Sequence, residues 1–125
     1  MTKICTTIDQ CKKILELGID INTADLTITN YPLQDGSRFD FICCKLPNDT
    51  FPSITDGKSE KIPAWSLSAL VDLMPKNVEI ERTHIGWRCD YYSNSDSLLK
   101  FGKDKNTLFD AVYEMVVWLL ENNKI

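Results

Sequence analysis

The last twenty residues, Asn106 to Ile125, constrain this chain more than any other segment. At about 100° per residue, Leu108, Val112, Met115 and Leu119 fall on one helical face. Asp110, Glu114 and Glu121 fall on the opposite face, and Phe109, Tyr113 and Leu120 flank the apolar one. Asn106 or Thr107 suits the N-cap, where a short polar side chain accepts from an orphan N–H of the first turn. Asp110 adds negative charge where the helix dipole favours it. The apolar arc is wider than a surface helix needs. Val117 interrupts the polar stripe between Glu114 and Glu121, and Trp118 sits at its edge. A helix of this kind demands a sheet to pack on, and Val117 and Trp118 become candidate contacts with another chain. The plainer alternative is lateral packing within the domain, since isolated exposed apolar residues are ordinary.

The chain is long enough to supply that core. Its 125 residues match one domain, 1–125, that buries roughly two thirds of its unfolded surface. With 43% hydrophobic and 26% charged residues it reads as globular. The net charge of −4 and pI of about 4.9 oppose generic nucleic-acid binding, because the overall field repels phosphate. The local basic candidates, Lys12 with Lys13 and Lys100 with Lys103 and Lys105, read as solvated surface. Met1 to Ile8 does not lead into an apolar run, and no stretch approaches the roughly 20 apolar residues of a membrane span. An odd set of five cysteines (Cys5, Cys11, Cys43, Cys44, Cys89) without a secretory signal points to reduced thiols and a cytoplasmic location.

Punctuation and period divide the chain further. Thr7 and Gln10 have capping-box spacing at the start of a first helix, with Ile8, Cys11, Ile14 and Leu15 inward. Gly18 suits its left-handed stop, with Ile19 closing over it. Leu26 to Thr29 alternates as a short strand. Tyr31-Pro32 and Asp35-Gly36 mark a turn before a second strand, Arg38 to Leu46. Both faces of that strand are largely apolar, which predicts a central position. Pro47 to Lys61 reads as a long surface loop. A second helix is expected from Pro63 or Ala64 to Leu73, with Pro75 ending it. Val78 to Arg82 and Trp87 to Tyr92 form strands about the Thr83 to Gly86 turn. Ser93 to Asp96 turns again, and Leu98 to Phe101 is the last strand. The order is α-β-β-α-β-β-β-α, an α+β fold with three helices on a mostly antiparallel sheet of about five strands.

Motifs that carry chemistry are sparse. His84 is the single histidine, lies in a predicted turn, and has no cysteine in a nucleophile motif beside it. Zinc needs ligands paired by a few residues, whereas Cys43 and Cys44 are adjacent and point to opposite faces of a strand. Glu79 and Glu81 alternate with Val78 and Ile80, the pattern of a solvent face. The five glycines stand alone, so there is no phosphate-binding loop. The sequence therefore assigns no catalytic, cofactor-binding or metal-ligating residue. Aromatic surface remains: Trp65, Trp87, Tyr91 and Tyr92 are candidate anchors, against the alternative of core and cross-strand packing.

The segments CKKILELGID, IPAWSLSALVDLMP, GWRCDYY and DAVYEMVVWLLENN resemble a group of short uncharacterised proteins encoded in gut Bacteroidales genomes, often by phages and other mobile elements. The resemblance spans Cys11 to Ile125 and is most specific over Ile62 to Leu70. It implies a bacterial cytosolic context and a phage or mobile-element origin, and it carries no functional residue. Residues and resemblance together lead to the expectation of a non-enzymatic accessory protein. Such a protein binds a host protein or a second copy of itself, with Val117, Trp118, Trp65 and Tyr92 as interface candidates. The alternative is a small-molecule-binding protein or enzyme with a pocket between sheet and helices, near Arg88, Asp90 and Tyr91.

Overall fold

A computed structural model of the chain describes residues 3–44, 53–54 and 60–125. The chain divides into two compact units, Met1–Ala69 and Leu70–Ile125. The architecture is α+β with three helices and antiparallel strands, in the order α1 (Ile8–Glu16), β1 (Leu26–Pro32), β2 (Arg38–Cys44), β3 (Ser53–Ile54), β4 (Glu60–Ala64), α2 (Leu67–Asp72), β5 (Val78–Thr83), β6 (Gly86–Tyr92), β7 (Leu99–Lys105) and α3 (Leu108–Glu121). The strands form two sheets rather than one, β2-β1-β4-β3 and β5-β6-β7. All five expected strands are present. The two additional ones, β4 and the two-residue β3, arise from residues read as loop and helix start.

In the first unit, α1 begins and ends as its punctuation predicts. Thr7 Oγ1 accepts from the Gln10 N–H at 3.2 Å, and Gln10 Oε1 accepts from the Thr7 N–H at 3.0 Å. Gly18 adopts φ +94°, the Gly18 N–H donates to Leu15 O, and the Ile19 N–H donates to Ile14 O. That pair of bonds satisfies carbonyls the helix end would otherwise leave bare. Cys11 and Ile14 are fully buried.

The expected start of the second helix is corrected. Residues Glu60 to Ala64 pair with β1 as a strand, Ala64 opposite Leu26 and Ile62 opposite Ile28. The Ile28–Ile62 and Leu26–Ala64 pairs supply an apolar row that outweighs the helix-start preference of Pro63. Proline is accommodated because of which way its nitrogen faces. The Leu33 N–H donates to Ser37 O across the β1–β2 turn. Antiparallel hydrogen-bonded pairs recur every second residue, so Thr29–Phe41 and Tyr31–Phe39 bond between β1 and β2. Leu26, Ile28 and Asn30 then bond toward β4. The nitrogen of Pro63, opposite Thr27, faces away from β1, so no β1–β4 bond is lost. A missing N–H is tolerated there. The same parity turns the nitrogen of Pro32 away from β2.

The second unit is a three-stranded antiparallel sheet with α3 packed on β6 and β7. Thr107 caps α3, its Oγ1 accepting from the Asp110 N–H at 3.1 Å. His84 and Ile85 form the β5–β6 turn and His84 is exposed. Gly86, at φ +152°, closes this turn, and a Cβ there would meet Lys105 O at 2.2 Å. The last strand runs to Lys105, four residues beyond its expected end.

Candidate interaction surface

The strand expected at the centre of a sheet lies at an edge. Among the described residues β2 pairs with β1 alone, and every one of its seven residues is exposed. Its apolar residues on both faces predicted burial on both sides; the topology leaves them outside. The rest of that predicted strand, Lys45 and Leu46, lies outside the described residues, as do 47–52 and 55–59 of the predicted loop.

Strand parity determines what the edge offers. Phe39, Phe41 and Cys43 direct their N–H and C=O groups to β1. Arg38, Asp40, Ile42 and Cys44 direct theirs outward, so four residues present backbone donors and acceptors along the rim. Side chains alternate as well. Phe39 stands beside its cross-strand neighbour Tyr31, and Phe41 follows on the same face. Their exposures are 53%, 43% and 51%. This is a contiguous aromatic patch against the strand edge. On the other face, Ile42 lies in register with buried Ile28 and Ile62. A groove of about 390 Å³ there is lined by Ile4, Cys5, Ile8, Ile28, Asp40 and Ile42, among others.

Natural edges are blunted by charges that project past the rim. Here both charges are drawn back over β1. Asn30 donates to Asp40 through Nδ2, and its side-chain oxygen accepts from Arg38 Nε. Arg38 Nη2 also donates to Asn30 O at 3.2 Å. Among the described residues no strand pairs with the outer rim of β2.

Of the four interface residues expected from sequence, Trp65 belongs to the first unit and Tyr92, Val117 and Trp118 to the second. Trp65 is a correction: it is 0% exposed, and its Nε1 donates to Thr23 Oγ1 at 2.9 Å. Its backbone ties down the N-terminal segment, with the Trp65 N–H donating to Thr6 Oγ1 at 3.1 Å and the Thr6 N–H donating to Trp65 O at 3.0 Å. Val117 is a second correction, at 7% exposure. Trp118 is half-buried, stacked on Phe101 with ring centroids 5.0 Å apart and tilted against Tyr91 at the same distance. It is consumed in joining α3 to β6 and β7, since aromatic pairs at this separation are favourable. Tyr92 is half-buried on the opposite face of β6. Burial, with Asp90, Glu79 and Glu81 nearby, raises its phenol above the ordinary value.

The polar neighbourhood expected to line a pocket closes on itself. Arg88 and Asp90 share one face of β6, whereas Tyr91 points to the other, so the three do not meet around a cavity. Asp90 is 4% exposed and accepts from Arg88 Nε at 2.6 Å; Arg88 Nη1 reaches Asp104 at 3.4 Å. Hydrogen bonding and repulsion from Asp90 raise the Glu81 carboxyl above its usual range. Gly102 makes room for this cluster: a Cβ there would lie 2.2 Å from Asp90 Oδ1 and 2.4 Å from Arg88 Nη2. Arg88-x-Asp90 spacing in a strand signals a same-face pair, but the part played by Gly102 requires the register.

A second groove, of about 550 Å³, lies between the β6–β7 turn and the end of α3. Its polar groups are largely engaged within the chain: Ser93 Oγ with Ser95 Oγ, Asn122 Nδ2 with Trp118 O, and Lys100 with Asp96. Among the described residues no three of His, Cys, Asp and Glu gather as metal ligands. Burial pushes the thiols of Cys11 and Cys89 up to about 11, away from the reactive thiolate form. No described helix is long and apolar enough to cross a membrane. Compared with known proteins, the chain matches no family model, no curated protein and no solved structure.

Proposed function

We propose that this protein is a non-enzymatic binding module that takes up an extended strand along the outer rim of β2. The observation that carries the reading is the open edge. Four residues direct backbone hydrogen-bonding groups outward, and the adjoining face presents Tyr31, Phe39 and Phe41. In strand addition, main-chain bonds supply affinity and alternate side chains supply specificity. An incoming strand with apolar residues at every second position extends the aromatic face. An accessory role in a bacterial host, of the kind phages and mobile elements encode, agrees with this chemistry.

The test is affinity capture from host lysate with the tagged chain and with Asp40→Pro. The N–H of Asp40 faces outward, so proline there removes a bond from the visitor and leaves the β1–β2 ladder intact. A stoichiometric partner captured by the parent and lost by a folded Asp40→Pro supports the reading. Equal capture by both assigns binding to another surface and overturns it.

A further inference from the structure

We infer that the strand received along β2 is the β2 of a second copy, paired antiparallel about a twofold axis that passes between the two Phe41 residues. The inference rests on the strand-addition reading above and specifies its occupant. A strand that completes this edge needs outward backbone groups at alternate positions and aromatic side chains on the matching face. The β2 strand itself has both, and a twofold axis normal to the sheet makes the aromatic faces of the two copies continuous.

Register narrows the arrangement to one. Residues facing each other must share outward parity, so allowed registers move in steps of two. With Phe41 opposite the second copy's Phe41, Arg38 meets Cys44, Phe39 meets Cys43 and Asp40 meets Ile42, and all seven residues pair. One step toward the turn sets the two Asp40 carboxylates opposite each other, which is repulsive. One step the other way leaves Arg38 and Phe39 unpaired. In the full register the Phe41 pair is the non-hydrogen-bonded kind, whose side chains approach most closely.

Area sets the strength. Seven residues extend about 23 Å. Phe39 and Phe41, each about half exposed, bring about 100 Å² apiece. With their neighbours, each copy buries roughly 400–500 Å², below the about 800 Å² per partner of a standard stable interface. An interface of this size belongs to the weak, transient class, so the dimer is reversible and its population rises with concentration.

The experiment has two parts on the full chain. Light scattering from about 5 µM to about 1 mM should show the mass rising from 14.3 kDa toward twice that value, and Asp40→Pro should hold it at the monomer. A monomer throughout overturns the dimer, while strand addition is judged separately by partner capture with Asp40→Pro. The second part fixes the register. In a Cys43→Ser, Cys44→Ser background, Phe41→Cys places two thiols on Cα atoms about 4.5 Å apart, within disulfide reach. Arg38→Cys places them about 20 Å apart. Under oxidised glutathione, Phe41→Cys should cross-link at least tenfold faster than Arg38→Cys. Equal rates, or a doubled mass without cross-linking of Phe41→Cys, overturn this pairing.

Discussion

Proline placed at adjacent positions of β2 separates two consequences of strand parity. At Phe41 the N–H is directed to Thr29, which is 5% exposed. Phe41→Pro therefore removes a ladder bond and strands a buried carbonyl, costing about 1–3 kcal/mol. The phenyl ring is already half exposed, so its loss adds only about 1 kcal/mol. The total is about 2–4 kcal/mol. At Asp40 the N–H points outward and no ladder bond is lost. The exposed Asn30–Asp40 side-chain bond disappears, at about 0.5 kcal/mol. A less flexible unfolded chain offsets this by about 0.4–1 kcal/mol, leaving Asp40→Pro within about 1 kcal/mol of the parent. Urea unfolding by circular dichroism, at a concentration low enough to keep the chain monomeric, measures both. Phe41→Pro should lower the midpoint clearly and Asp40→Pro should barely move it, with equal m-values. Equal destabilisation by both would refute the assignment of outward and inward residues, and with it the open rim.

Two further predictions concern the second unit. Gly102→Ala should cost about 1–3 kcal/mol, because the methyl group forces Asp90 and Arg88 apart and disturbs the partner of a buried carboxylate; a thermal midpoint equal to the parent's would show that the cluster adapts freely. The Glu81 carboxyl is raised in the folded state by Asp90. The native state therefore holds that proton more tightly than the unfolded chain does. The stabilisation is present below the ordinary glutamate range and is lost as pH rises through the folded value. Glu81→Gln should flatten this fall, so its advantage in thermal midpoint over the parent grows from pH 4 to pH 7. An advantage that stays constant or shrinks reverses the sign.

Much of the local structure was legible because it follows from short-range chemistry. Thr7 and Gln10 announced the capping box, Gly18 the helix stop, Thr107 the start of α3, and the residues between Thr83 and Gly86 a hairpin. In β6 the period of two puts Trp87, Cys89 and Tyr91 on one side. Pro63 misled because proline suits both a helix start and a strand position whose nitrogen faces away from the partner, and the choice is made by the distant partners Thr27 and Ile28.

Caps, turns and side-chain period act within a few residues, and so the kind and approximate extent of most elements could be read along the chain. Tertiary structure decided which apolar residues are inside. Val117 and Phe41 are both apolar, yet Val117 is buried and Phe41 stands half exposed. Period says which residues share a face. It does not say whether a second layer covers that face or where a strand falls in the order β2-β1-β4-β3. Those outcomes depend on pairings between residues far apart in the chain, and they turned a predicted central strand into the edge strand of the described sheet.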